Sequence, residues 1–227
     1  MKKDIILPFD YIIVPGSEAI KTCMEIRKDT SRGVTPIILG DAAEIEYLED
    51  SLEYNNHLTP QSIIKQSENV NIKDFLNNRY AEFATDDESL EEWPSEDVES
   101  HNGLVSIIDF MTGNPLDEVY IALIPTLDSY KVPAYLKYGD WNDCPSPEEH
   151  IAIFKYWYEK YGARIIAVTH DIIECTVDNP PKTKEEAIKL AKEQFKYCID
   201  IVAQGTETIS GLAASLLNSK YWYFWWD

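Results

Sequence analysis

Apolar and polar positions along this chain switch between strand-like runs and helix-like spacing, and the switches predict its elements. Ile12-Ile13-Val14 is a short apolar run closed by Pro15-Gly16, which reads as a strand. Ser17 is placed to cap a helix whose inward positions are Ile20, Cys23, Met24 and the aliphatic stem of Arg27, with Gly33 breaking it. Pro36-Ile37-Ile38-Leu39 reads as a second, buried strand. Asp41 with Glu44 resembles a capping box and predicts a helix through about Leu52, and Thr59-Pro60 opens another, proline suiting a first turn. Val119 to Pro125 is again a buried strand.

Beyond residue 145 the pattern sharpens. Ser146-Pro147-Glu148-Glu149 combines a cap, a proline at the first helical position and acids at the positive end of the dipole. Ile151, Phe154, Trp157, Tyr158 and Tyr161 form the apolar face of that helix, and Gly162 ends it. Arg164 to Val168 and Ile172 to Val177 read as strands on either side of a turn or bulge at Thr169-His170-Asp171. A capping box at Thr183 to Glu186 starts a helix with the stripe Ala187, Ala191, Phe195, Cys198 and Val202, ending before Gly205. Thr208 caps a last helix with Leu212, Ala213, Leu216 and Leu217 inward. Tyr221 to Trp226 closes the chain as an aromatic strand, with alternation burying Trp222, Phe224 and Trp226 and turning Tyr223 and Trp225 to the other face. These elements predict an α+β or α/β fold with helices packed on a mixed sheet. The chain divides into a βα-type region at 1–84, an acidic loop or linker at 85–118 and a C-terminal domain at 119–227.

Charge adds the next constraint. Forty acidic residues face twenty basic ones, for a net charge of −20 and a pI near 4.5. Such a field repels nucleic acid and anionic membranes and draws cationic partners inward. Between Arg79 and Lys131 thirteen carboxylates occur without one lysine or arginine. With Pro94 and little periodicity, this stretch reads as a solvated surface loop, or as a docking surface for a basic partner with Trp93 as its aromatic anchor. The N-terminus is too short and interrupted for a signal peptide, and no apolar run is long enough to cross a bilayer. Cys23, Cys144, Cys175 and Cys198 form no CxxC pair, so reduced thiols in a cytoplasmic protein are expected.

The candidate chemistry centres on Gly139-Asp140-Trp141-Asn142-Asp143-Cys144-Pro145. Cys144 lies just before a helix start, where the dipole lowers a thiol's pKa; His150 or His170 is the candidate base and Asp171 the orienter. Free cysteine is, however, more commonly a small buried hydrophobe. Asp140 and Asp143, joined by Asp171 or Glu174, are candidate oxygen ligands for Mg²⁺ or Ca²⁺, although such loops more often make turns and caps. His57, His101, His150 and His170 lack zinc spacing, the nine glycines form no phosphate loop, and no cofactor is expected.

Several of these residues also resemble a known family. The run from Gly139 to Pro145 is similar to the GxWNxCP signature of the DUF4253 family, a domain of unknown function. Tyr156-Trp157, Tyr161-Gly162-Ala163, Asp171 with Glu174, Pro180-Pro181, the helix from Ala187 to Cys198, Asp200-Ile201-Val202 and the ending Trp222 to Asp227 extend the resemblance over roughly 132–227. His170 stands where that family often carries glycine, which argues against His170 as the centre of a shared mechanism. The resemblance implies a domain boundary and no activity.

The expectation is therefore a cytoplasmic acidic protein that binds a basic protein partner, of the kind met in immunity proteins that neutralise a cognate toxin. Its binding residues are expected at Trp141, Asn142, Asp143, Trp225, Trp226 and Asp227, with Trp93. The competing expectation is a thiol- or metal-dependent hydrolase using the Trp141–Cys144 loop with Asp171.

Overall fold

A computed structural model describes residues 7–79 (only the backbone of Asp50 and Ser51), 92–95 and 102–227. Much of the expected acidic loop, residues 85–91 and 96–101 with His101, lies outside the described residues, as do residues 1–6.

β1 (Tyr11–Val14) leads into α1 (Gly16–Lys28), then β2 (Thr35–Ile38) and three helices, α2 (Ala42–Tyr54), α3 (Pro60–Ser67) and α4 (Ile72–Asn78). β3 (Val119–Ile124) is followed by the short α5 (Val132–Leu136), α6 (Pro147–Tyr161), β4 (Ala163–Val168) and β5 (Ile172–Val177). α7 (Lys184–Tyr197), a π-helical turn at Ile201–Thr206, α8 (Ile209–Leu216) and β6 (Tyr221–Trp225) complete the chain.

The strands form one six-stranded mixed sheet in the order β1-β3-β2-β4-β5-β6. Only β2 and β4 run parallel, meeting at Ile38 and Ala167. The other neighbours are antiparallel, and β6 lies beside β5 with Phe224 opposite Ile173. Helices cover both faces of an α+β fold. Alternation along the strands sends Ile37, Ala122, Ile165, Ile173 and Phe224 into the larger core, under α2 and α4 to α8. The intervening Ile38, Ile121, Ile166 and Ala167 meet Ala19 and Cys23 of α1 and Leu104 and Ile107 of the loop before β3. Burial on both faces explains why β2 and β4 read as continuous apolar runs.

Most predicted ends coincide with capping geometry. Ser146 and Glu149 close a reciprocal box on α6, Thr183 and Glu186 do so on α7, Thr208 caps α8, and Gly162 ends α6 at φ 64°. Trp222, Phe224 and Trp226 are buried and Tyr223 and Trp225 half-buried, as alternation requires.

Four details differ. α1 begins at Gly16 with no side-chain cap, because the Gly16 amide donates to the Leu116 carbonyl at 2.8 Å. A side chain on Gly16 would also meet the Ile107 carbonyl at 2.6 Å, so this position carries the helix start into the wall of the second core. Gly33 ends a separate 3-10 turn (Thr30–Arg32) capped by Asp29, not α1 itself. Asp41 Oδ1 accepts from the amides of Ala43 and Glu44, but the Glu44 carboxylate turns away to His170, so no reciprocal box forms. Finally, α7 stops at Tyr197 because Cys198 is extended, its thiol donating to the Trp225 carbonyl at 2.9 Å.

Candidate functional site

The loop from Gly139 to Pro145 folds tightly because several of its residues take left-handed backbone angles. Lys137, Asp140 and Asn142 have φ of 50°, 68° and 44°, and Gly139 lies at 125°. Such angles favour Gly, Asn and Asp, the types present at three of the four positions. The Asp140 amide donates to the Pro145 carbonyl at 3.2 Å and the Cys144 amide to the Trp141 carbonyl at 2.8 Å. The loop therefore delivers Ser146 to the start of α6 in the right pose to cap it.

This loop meets the aromatic end of the chain. Asn142 Nδ2 donates to the Asp227 carbonyl at 2.6 Å. Trp141 packs edge-on against Tyr138 at 4.7 Å, and Tyr138 faces Trp226 at 6.3 Å. On the other side Asp171 fastens β6: its carboxylate accepts from Trp225 Nε1 at 2.9 Å, and its backbone carbonyl accepts the Trp226 amide at 3.1 Å. The Asp227 amide donates to Asp200 Oδ2 at 3.3 Å. Trp141, Asn142, Trp225, Trp226, Asp227 and Asp171 are thus brought together, while Asp143 stands exposed beside them.

Beneath the loop lies a polar chain inside the aromatic core. Cys144 Sγ is 3.4 Å from His150 Nε2, and His150 Nδ1 is 2.6 Å from the Tyr197 hydroxyl. All three are buried, ringed by Tyr138, Phe154 and Trp226. Burial pushes the Cys144 thiol well above its ordinary range, and burial with the nearby Arg79 charge holds His150 well below 6.5. The helix dipole expected to activate the thiol is outweighed by desolvation. A neutral imidazole accepting from one neighbour and donating to the other satisfies this chain, and the arrangement stores no thiolate. His170 is not hydrogen-bonded to Cys144, so the second candidate base lies apart from the thiol.

His170 instead belongs to a surface group. Glu44 Oε2 accepts from the His170 amide at 3.1 Å and lies 2.7 Å from its Nδ1, with Asp171 Oδ1 at 3.4 Å and Tyr47 stacked on the ring at 4.7 Å. Among the described residues, Glu44, His170 and Asp171 are the grouping whose ligand atoms lie within 4.8 Å of one another. Asp140 and Asp143 acquire no third ligand there. Glu174, their other expected partner, is buried, where it accepts from the amides of Val105 and Ser106 and from the Ser106 hydroxyl at 2.5 Å. Burial raises its pKa against those bonds. Its role is to fasten the loop before β3.

That loop presents a feature the sequence left unmarked. Asp109 Oδ1 accepts from the amides of Met111 and Thr112, and the Asp109 amide donates to the Asn114 carbonyl, making a closed turn. At its tip Phe110 and Met111 are 94% and 88% exposed. Beside them opens a cleft of about 720 Å³ lined by Asp41, Asp109, Asp117 and Glu118 among others. Trp93, the expected anchor, packs half-buried on the larger core, with Lys184 Nζ 4.5 Å from its ring centroid. Tyr197 and, as a partner of His170, Glu44 also went unmarked as site residues, because their partners lie 47 and 126 residues away in sequence. Phe110-Met111 inside a carboxylate-rich stretch was the one available signal for the turn.

The structure thus defines an α+β protein whose loop, helices and last strands share one aromatic core. The family model described as "Domain of unknown function (DUF4253)" matches residues 120–227, the C-terminal part of the chain. The match begins inside β3, earlier than the motifs alone indicated. No curated protein and no solved structure matches the chain. No helix among the described residues is long and apolar enough to cross a membrane.

Proposed function

We propose that this chain is a protein-binding protein that captures a cationic protein partner on the face formed by the Asp109–Asn114 turn and the adjoining acidic cleft. Neutralising a cognate toxin by direct binding, as immunity proteins do, is the specific role this reading fits. The observation that carries it is the pairing of Phe110 and Met111, held outward by a closed turn, with Asp41, Asp109, Asp117 and Glu118 at their side. A preformed turn spares the backbone entropy of ordering on binding, and the two apolar side chains supply the desolvated contact on which affinity depends. The carboxylates raise the association rate for a basic surface. The thiol form of the hydrolase reading draws no comparable support, since its thiol is buried and neutral.

The test is co-elution with the product of a neighbouring gene encoding a basic toxin, followed by affinity measurement at rising salt. Affinity is expected to fall steeply between about 50 and 500 mM salt, as an electrostatically steered interface requires. Phe110→Ala with Met111→Ala is expected to weaken the complex by about 30-fold or more, on the scale of interfacial anchors. A complex indifferent to that double substitution would place the interface elsewhere.

A further inference from the structure

A cavity of about 600 Å³ lies at the opposite end of the sheet, at the start of β4, the end of β5 and the start of β6, and its charge is the reverse of the chain's. Arg27, Lys28, Arg164 and Lys220 line it, with Asp178 as its carboxylate. Arg164 is already paired with Asp178. Among the described residues, no carboxylate lies within 4.0 Å of Arg27, Lys28 or Lys220. In a chain with twice as many acids as bases, such a local excess of cations is not what a solvated surface produces by default.

Arg27 is the telling member. Its guanidinium is half-buried and held by two neutral acceptors, the Ile165 carbonyl at 3.0 Å and the Thr176 hydroxyl at 3.5 Å. Burial pulls its pKa down and the Arg164 charge works in the same direction, with the Asp178 carboxylate opposing both. A partly desolvated cation beside a second cation is costly unless an anion joins them. The last turn of α1 accounts for Arg27 and Lys28 as complements to the helix dipole, but Arg164 and Lys220 come from other elements. A second space of about 340 Å³ shares Arg27 and Arg164 and adds Thr30, Thr35 and Ser129 to its walls. The two guanidiniums therefore line both recesses.

We propose that this cavity binds a small molecule carrying a phosphate group, held between Arg27, Arg164 and Lys220, with its organic body against Met24 and Tyr221. Several cations converging on one cleft match a dianion better than a single carboxylate, and guanidinium forks suit phosphate oxygens. A nucleic acid is a poor occupant, because a long polyanion meets the field of the whole acidic chain, whereas a small ligand meets only the cleft.

The test uses the full chain with phenyl phosphate, inorganic phosphate and benzoate as probes at matched ionic strength. Phenyl phosphate is expected to raise the melting temperature and to shift the Arg27 side-chain ¹⁵N resonance, inorganic phosphate to do so more weakly, and benzoate to do neither. Arg27→Met is expected to abolish the response. Lys28→Met with Lys220→Met, both exposed and safe for folding, is expected to weaken binding about tenfold or more. Phe110→Ala with Met111→Ala should leave phosphate binding unchanged, which separates this site from the protein-binding face. Equal responses to benzoate and phenyl phosphate, or a response that survives in both cation variants, would overturn the proposal.

Discussion

Replacing Gly139 with alanine tests whether the loop over Cys144 is as tightly specified as its geometry indicates. Gly139 has φ 125°, a region that L residues rarely enter, and a Cβ there would lie 2.1 Å from the Pro145 carbonyl oxygen and 3.2 Å from the His150 ring. The clash is with backbone, so it can be relieved only by opening the loop. Strain of about 1–3 kcal/mol adds to the loss of the Asp140–Pro145 backbone bond, worth about 1 kcal/mol, and to imperfect repacking above His150. The expected destabilisation is about 3–5 kcal/mol, a large share of the 5–15 kcal/mol typical of a folded protein. Gly113→Ala is the control: its φ is 70° but nothing lies within 4 Å of the added carbon, so about 1 kcal/mol is expected. Urea unfolding followed by tryptophan fluorescence measures both. Thiol labelling at the Cys144 peptide reports loop opening, since Cys144 is only 5% exposed in the closed form. If Gly139→Ala lay within about 1 kcal/mol of Gly113→Ala and left Cys144 unreactive, the account of this loop would be wrong.

His150 makes stability depend on pH with a defined sign. Its folded pKa is depressed below 6.5, so its contribution is complete above that pH and declines as the pH falls toward the folded value, by up to about 1.4 kcal/mol per unit. Unfolding free energies measured from pH 7 to 5 should therefore fall more steeply for the native chain than for His150→Leu; parallel curves would count against a neutral buried imidazole. Glu174→Ala should cost about 2–4 kcal/mol, because two amides and the Ser106 hydroxyl lose their acceptor, and should speed amide exchange at Val105 and Ser106. Unchanged exchange there would show that the loop is fastened by something else.

Elements whose signals are local could be read from the chain alone. The boxes at Ser146 and Thr183 and the alternation from Trp222 to Trp226 need only neighbours within one turn or one strand, and each appears in the structure. α4 and α5, at seven and five residues, are too short for periodicity to accumulate. α7 was expected to run on because Cys198 and Val202 continue its stripe, but a contact with Trp225, far along the chain, turns Cys198 out of the helix. The site followed the same division. The Asn142 loop and the end at Asp227 each stand out as motifs that supply expected binding residues, whereas Glu44 beside His170, and Tyr197 beside His150, depend on separations of 126 and 47 residues. Charge counting also hid the cationic cleft, because a whole-chain sum averages four converging bases into an acidic total.

The strand order carries a consequence for what can be cut away. The family-matched segment supplies β3, β4, β5 and β6, yet β3 and β4 never touch as neighbours, because β2 lies between them. β2 comes from residues outside that segment. Excising 120–227 would pull a slat from the middle of the sheet and not from its rim. It would strip β4 of its partner along one whole side and bare Ile166 and Ala167, which α1 and the preceding loop now cover. A freed, apolar strand of this kind is a template for pairing with copies of itself. The excised segment is therefore expected to aggregate, and adding a peptide spanning β1 to β2 in trans is the way to keep it monomeric.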